Sequence, residues 1–428
     1  MNGALTEYIV YSENIALCIF MICYTEGINK MLLQDRLDVI QKTRANIFNW
    51  RGQFTPQLID HIISTYSANG DVVVDPFSGS GTVLAECVNK GIKAYGLEIN
   101  PAAYAMSKFY SLSNLNKDEK IAIFGLLESK INHCADKYHS LPVWYDDQDY
   151  RKQYGNLMNF IRDIFPSLQR GFEKTLILNM LFICENHKKM SLPDSLCTSF
   201  EYIRSVAMTL PFSFQPVNAK LLDARSFSVN ENIRANMIVT SPPYINVFNY
   251  HQNHRAVLEA SGWDMLRVAS SEFGSNRKNR ANRFRTVVQY CLDMEQAICS
   301  FWSGLQVDGL LIMIVGRESN VRGVPFYNGQ LIKEISIGIQ VFKMIEERER
   351  TFLNKFGQII KEDVFVFQKT PKSGSRQVGR LTAMKHLERS LESTLDQDIS
   401  GDIKNALRDI SSVDSSPVFS AKEAHLYD

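Results

Sequence analysis

The segment Asp71-Val72-Val73-Val74-Asp75-Pro76-Phe77-Ser78-Gly79-Ser80-Gly81-Thr82 decides the fold. A β-branched run between polar neighbours reads as a strand buried on both faces, the pattern of a parallel sheet. Gly79 and Gly81 then form a turn in which backbone can approach a ligand closely. Thr82 begins a helix, Val83 to Asn89, and Gly91 closes it. Strand, glycine turn and helix N-terminus make a nucleotide-type ligand site at the carboxyl edge of a parallel sheet.

Upstream lies Asn49-Trp50-Arg51-Gly52-Gln53-Phe54-Thr55-Pro56. Thr55 suits a helix N-cap and Pro56 a first helical position. Leu58, Ile59, Ile62, Ile63 and Tyr66 give the following helix an apolar face, and Asn69-Gly70 ends it. Downstream, Lys93 to Leu97 reads as a second strand ending in Glu98. An acid about 20 residues beyond the glycine turn suits a bidentate grip on ribose hydroxyls. Pro101 opens another helix, Ala102 to Tyr110.

From 113 to 215 helical periodicity dominates, without a glycine turn, so this region reads as an insertion. The α/β rhythm then resumes. Lys220 to Ala224, with Asp223 near its end, is a third strand, and Asn236 to Thr240 a fourth. Gly309 to Gly316, Gln340 to Arg350 and Asp363 to Gln368 follow. The expected fold is α/β: a doubly wound, seven-stranded, Rossmann-like sheet interrupted by a helical insertion.

The fourth strand runs into Thr240-Ser241-Pro242-Pro243-Tyr244. Two prolines cannot continue a ladder, because each lacks the N–H and has a fixed φ. The result is a stiff loop with a hydroxyl, exposed carbonyls and an aromatic ring, able to hold a flat polar molecule by its edge and its face. Further on, Arg277, Lys278, Arg280, Arg283 and Arg285 surround Phe284 with no acid among them. That run suits phosphate contacts and stacking.

At 428 residues, 45% hydrophobic and 22% charged, the chain reads as a soluble globular protein with a sizeable core. Its net charge of +1 gives no global pull on an anionic partner, so a nucleic-acid surface has to be local. The eight cysteines form no Cys-x-x-Cys pair and read as reduced core thiols of a cytoplasmic protein, with no structural metal. The apolar run Ile15 to Tyr24 is too short to span a bilayer. Met31 is an alternative natural start. Residues 1–45 form an N-terminal extension, of which 32–45 read as a polar helix. Residues 46–112 and 216–369 form a discontinuous α/β domain around the insertion at 113–215. Residues 370–428 form a polar tail, with a helix over 379–397 and a disordered end.

These motifs resemble the S-adenosylmethionine-dependent DNA amino-methyltransferases, which modify cytosine N4 or adenine N6. The match runs through Phe54-Thr55-Pro56, Asp75 to Thr82, Glu98 and Thr240 to Tyr244, with Gly316-Arg317-Glu318-Ser319 and Arg322-Gly323 also similar. The resemblance implies a cofactor site of Phe54, Thr55, Asp75, Phe77, Gly79, Gly81, Thr82, Glu98, Asp223 and Thr240. Within it Glu98 takes the ribose hydroxyls and Asp223 the adenine amino group. It implies catalysis by Ser241, Pro242, Pro243 and Tyr244. The implied target is double-stranded DNA with one base flipped out, on which Tyr244 could stack. The insertion is the candidate for reading the target sequence, with Ile245 to Thr286 the alternative segment, and a cognate restriction enzyme is the candidate partner.

Serine ahead of Pro-Pro is more typical of cytosine-N4 enzymes than Asp or Asn, which places N4 ahead of adenine N6. Methylation of RNA or of a protein amide, and a non-catalytic DNA-binding regulatory subunit, remain as alternatives. Cytosine C5 methylation is excluded, because that chemistry uses a Pro-Cys thiolate and none of the 13 prolines precedes a cysteine.

Overall fold

The strand Val72–Asp75 (β1) lies inside a seven-stranded sheet in the computed structural model of the chain. The structure describes residues 31–424 apart from 139–146, 170, 188–189, 228–232, 246–248, 275–278, 280, 355–356, 372–373 and 375–376. The other strands are Lys93–Glu98 (β2), Val217–Leu221 (β3), Ala235–Thr240 (β4), Leu305–Gly316 (β5), Phe342–Leu353 (β8) and Ile359–Lys369 (β9). Their order is β3-β2-β1-β4-β5-β9-β8. The first five are parallel, and β9 runs antiparallel to both β5 and β8. A separate hairpin, Glu318–Val321 (β6) with Val324–Tyr327 (β7), follows β5.

This is the doubly wound, Rossmann-like sheet expected. Strand order reverses between β1 and β4, so the chain leaves their carboxyl ends in opposite directions and opens a crevice there. The apolar runs explain the centre of the sheet: Val73, Val74, Ile238, Val239, Leu311, Ile312 and Val366 are all fully buried. β3 sits a few residues earlier than Lys220–Ala224. Asp223 belongs to the loop after it, where its side chain caps a 3-10 turn, Ala224–Ser226.

Four longer helices, Lys117–Ala135, Asp147–Ile164, Phe172–Cys184 and Leu192–Thr209, occupy the region of the insertion. They are not a free-standing lobe. Phe124, Phe160, Ile177 and Phe200 share one core with Phe48, Met106 and Phe109 of the α/β domain. The Asn179 side chain donates to the Ala105 carbonyl across 2.8 Å inside that core.

Three expectations are corrected. The helix over 32–45 is confined to Gln34–Asp38. Thr55 precedes the helix Pro56–Tyr66 as expected, but its side chain makes no capping bond. The described residues of the tail from 377 to 424 are folded onto the domain. The helices Val378–Ser393 and Gln397–Arg408 pack on the domain, and an extended strap follows with Val413 and Phe419 buried. Residues 425–428, the apolar run 15–24 and the alternative start region before residue 31 lie outside the described residues. No described helix is long and apolar enough to cross a membrane.

Candidate active site

A cleft with a cavity volume of about 90 Å³ opens over the carboxyl ends of β1, β2 and β4. Asp75 forms its floor at the end of β1. The Asp75 Oδ1 atom accepts from the Thr240 hydroxyl at 2.6 Å and from the Phe77 N–H at 3.1 Å. Burial pushes the Asp75 carboxyl up to about 7, against the pull of those two donors.

The glycine turn follows. Gly81 has φ +88°, and a Cβ there would stand 2.9 Å from the Ser107 Cα and the Tyr110 ring. Only glycine therefore lets the turn lie against the end of the helix Pro101–Phe109. Glu98 closes the cleft at the end of β2. Its Oε2 accepts from the Gly79 N–H at 3.0 Å, and its Oε1 from the Ile99 and Asn100 N–H groups at 2.9 Å each. Burial pushes the Glu98 carboxyl up to about 7 as well.

The segment before Pro56 folds over this turn. The Ser80 hydroxyl donates to Gln53 Oε1 at 2.7 Å. The Thr82 hydroxyl donates to Asn46 Oδ1 at 3.0 Å, and the Asn46 amide donates to the Phe54 carbonyl at 2.8 Å. Across the mouth, Trp50 stacks on Tyr250 with ring centroids 6.0 Å apart and planes 15° from parallel. Phe77 meets Phe273 edge-on at 5.3 Å.

The Ser-Pro-Pro-Tyr loop supplies the wall beside β4, and Ser241 and Pro243 line the cleft. Ser241 Oγ lies 3.2 Å from the Tyr244 hydroxyl. The Tyr244 ring rests on Gly316 at the end of β5, so tightly that a Cβ on Gly316 would come within 2.7 Å of it.

Of the residues expected in the site, Phe54, Asp75, Phe77, Gly79, Thr82, Glu98, Asp223, Ser241 and Pro243 all face one cleft. Thr55, Gly81, Thr240, Pro242 and Tyr244 adjoin these residues in sequence but are not among the cleft lining. Asp223 faces the cleft but is heavily engaged: Arg225 and the Phe419 N–H hold both its carboxylate oxygens. In the basic run, Arg277, Lys278 and Arg280 lie outside the described residues. Arg283 is exposed, and Arg285 is paired with Asp409 of the tail.

Sequence reasoning missed Trp50, Gln53, Asn100, Tyr250, Glu272 and Phe273, all of which line the cleft. The Asn100-Pro101 pair did carry a signal, that of an N-cap followed by a first-turn proline. The Asn100 side chain accepts from the Ala102 N–H and donates to the Tyr250 carbonyl. Tyr250 and Glu272 carry no local signal, because only tertiary folding brings them to the cleft.

The fold is the doubly wound, Rossmann-like one, and its strand-end motifs are similar to those of methyltransferases, a likeness that sequence comparison extends. Residues 33–109 match the family described as DNA methylase. The Type II methyltransferase M.MjaII of Methanocaldococcus jannaschii is 40% identical over 55 residues, covering 13% of this chain and 10% of that protein. M.BsoBI of Geobacillus stearothermophilus is 22% identical over 298 residues, 57% of each chain. M.BamHI of Bacillus amyloliquefaciens is 31% identical over 106 residues, 24% of each. The chain therefore spans at most 57% of the length of these relatives. The resemblance to the DNA amino-methyltransferases, read from the motifs, holds on these matches.

Proposed function

We propose that the protein is a site-specific DNA methyltransferase that moves the methyl group of S-adenosylmethionine to an exocyclic base amino group, cytosine N4 ahead of adenine N6. One observation carries the reading: Ser241, first in the Ser-Pro-Pro-Tyr loop, lines the same cleft as Glu98 and the glycine turn. A methyl donor held at the turn and an amino group held at Ser241 would then meet within one enclosure.

The residues fit the cofactor. Glu98 offers carboxylate oxygens for ribose hydroxyls, and Phe77, Ile99 and Phe273 offer apolar surface for a purine. The narrow turn at Gly79 and Gly81 leaves room for the aminoacyl part. When bound, S-adenosylmethionine supplies an electrophilic methyl on a sulfonium.

The chain's own contribution is positioning and electrostatics. An exocyclic amino nitrogen is a poor nucleophile because its lone pair is delocalised into the ring. The Ser241 hydroxyl and the Pro242 carbonyl can accept its two N–H bonds and draw the nitrogen towards sp³ geometry. That would return the lone pair to the nitrogen and ready it for the electrophilic methyl that the cofactor would supply. Trp50 and Tyr250 across the mouth limit water access.

The target base would reach this cleft by leaving the duplex. A groove beside Trp50, lined by Asn49, Asn186, Tyr202, Gln252 and Asn253, runs between the cleft and the inserted helices. Carboxamides pair with base edges, which supports target reading by this part of the insertion. Because those helices share the core, point changes test the idea better than deletion. Asn186→Ala and Gln252→Ala are expected to change site preference in modification-sensitive sequencing.

The function itself is tested by mass spectrometry of DNA treated with the protein and labelled cofactor. N4-methylcytosine is the expected product. N6-methyladenine alone would move the base assignment, and label in RNA or protein but not DNA would overturn the reading.

A further inference from the structure

The most heavily bonded charged group near the cleft is one the proposed reaction does not use. The Arg225 side chain is 2% exposed and lies between Asp223 and Asp293, which are 1% and 0% exposed. Its Nε and one terminal nitrogen donate to the two Asp223 oxygens at 2.9 and 2.7 Å. Its other terminal nitrogen donates to Asp293 Oδ1 at 3.1 Å. The same guanidinium also donates to the Ser416 and Pro417 carbonyls of the C-terminal strap, at 2.7 and 2.8 Å.

The strap answers in kind. The Ser416 N–H and hydroxyl donate to Asp293 at 2.8 and 2.6 Å. The Phe419 N–H donates to Asp223 Oδ2 at 2.9 Å. With the Arg225 N–H also on Oδ1, Asp223 receives four donors. An ionised carboxylate has about four lone-pair sites, so its acceptor capacity is spent inside the protein. Yet Asp223 and Ala224 line the cleft. The strap also joins two cores, because Val413 belongs to the core that contains the helix Arg285–Gly304 and Phe419 to the core that contains the inserted helices.

We propose that Asp223 is a positioning residue, locked by Arg225 and the strap Ser416–Phe419, and that strap docking sets the affinity of the cleft for its cofactor. The strap thus builds the Asp223 end of the cleft. This inference rests on reading the cleft as the S-adenosylmethionine site. Linkage makes the coupling reciprocal: a ligand that favours the docked wall also holds the strap down.

The test uses the full chain with S-adenosylhomocysteine as probe. Phe419→Pro deletes the N–H on Asp223, and Phe419→Leu keeps it. Calorimetry should show affinity falling about 10-fold or more in the proline variant, the size of one lost charge-assisted hydrogen bond. The leucine variant should stay near wild type. Turnover should show the loss in KM for the cofactor, with kcat little changed. Hydrogen exchange of Ser416–Phe419 in the wild-type protein, which needs no variant to fold, should slow when the probe binds. Wild-type affinity in Phe419→Pro, or exchange indifferent to bound probe, would overturn the coupling alone. Absence of probe binding to the wild-type protein would overturn the cofactor reading and the coupling with it.

Discussion

The Thr240 hydroxyl donates to Asp75 Oδ1 across 2.6 Å, tying the end of β4 to the end of β1. One bond therefore joins the strand that launches the Ser-Pro-Pro-Tyr loop to the strand that launches the glycine turn. Both groups are buried, so neither finds water if the other is removed. Thr240→Val keeps the shape and deletes the donor. It should cost about 1–3 kcal/mol in denaturant unfolding, and transfer should slow because the two loops lose their common anchor. Unchanged stability and rate in this variant would remove the bond from the site's support.

Asp75 and Glu98 sit at the ends of neighbouring strands, and burial pushes both up to about 7. Their carboxyls ordinarily titrate near 4 when the chain is unfolded. The native state thus takes up protons between roughly pH 4 and 7, and stability falls as pH rises through that window. Cofactor affinity should run the other way. If ribose hydroxyls donate to the ionised carboxylate, affinity rises as Glu98 loses its proton near pH 7. Glu98→Gln should weaken binding and flatten its rise across pH 6–8 in calorimetry, while reducing the fall in thermal stability.

Gly81 combines a positive φ with closely packed neighbours. The strain of a non-glycine residue at such a φ is about 1–3 kcal/mol, and the contact with the Ser107 backbone adds to it. Gly81→Ala should therefore lower the melting temperature and cost most of the cofactor affinity, because relief requires the turn to move into the cleft. A folded variant with normal cofactor affinity would refute this account of the turn.

Much of this geometry was legible because it is local. The run Val72 to Val74, the glycines after it and the prolines after Thr240 each dictate backbone within a few residues. Seven sheet strands follow from such runs, with ends misplaced by a few residues where β3, β5, β8 and β9 begin. The helix expected over 379–397 is found at Val378–Ser393, but the end of the tail was not legible. Residues 409–424 are polar and carry no periodicity, and their order comes from partners far off in sequence. Arg225 lies 191 residues before Ser416, and Asp293 lies 123 before it. Asp223 shows the same limit: its motif position was readable, but the donors that occupy its oxygens were not.

Ser241 and Tyr244 should separate chemistry from binding. Ser241 faces the cleft, whereas Tyr244 is not among its lining and packs its ring on Gly316. Ser241→Ala should lower kcat by about 10²–10³-fold, as for loss of one preorganised hydrogen-bonding group, with cofactor affinity unchanged. Tyr244→Phe keeps the packing on Gly316 and loses only the 3.2 Å contact with Ser241, so its effect on kcat should be smaller. A larger loss in Tyr244→Phe than in Ser241→Ala would reverse these roles.

Arg283 and Arg285 are two residues apart and should behave differently on DNA. Arg283 is exposed, while Arg285 opens the helix Arg285–Gly304 and pairs with Asp409 at the end of the helix Gln397–Arg408. If Arg283 meets phosphate, Arg283→Ala should weaken binding to all DNA sequences alike and reduce the salt slope of log affinity by about 1. Arg285→Ala should leave that slope nearly unchanged, because its charge already has a partner within the chain. It should instead loosen the docking of the tail, seen as faster proteolysis after residue 408. Binding isotherms at several salt concentrations decide between them. Equal slopes for both variants and the wild type would move the phosphate contacts away from this part of the surface.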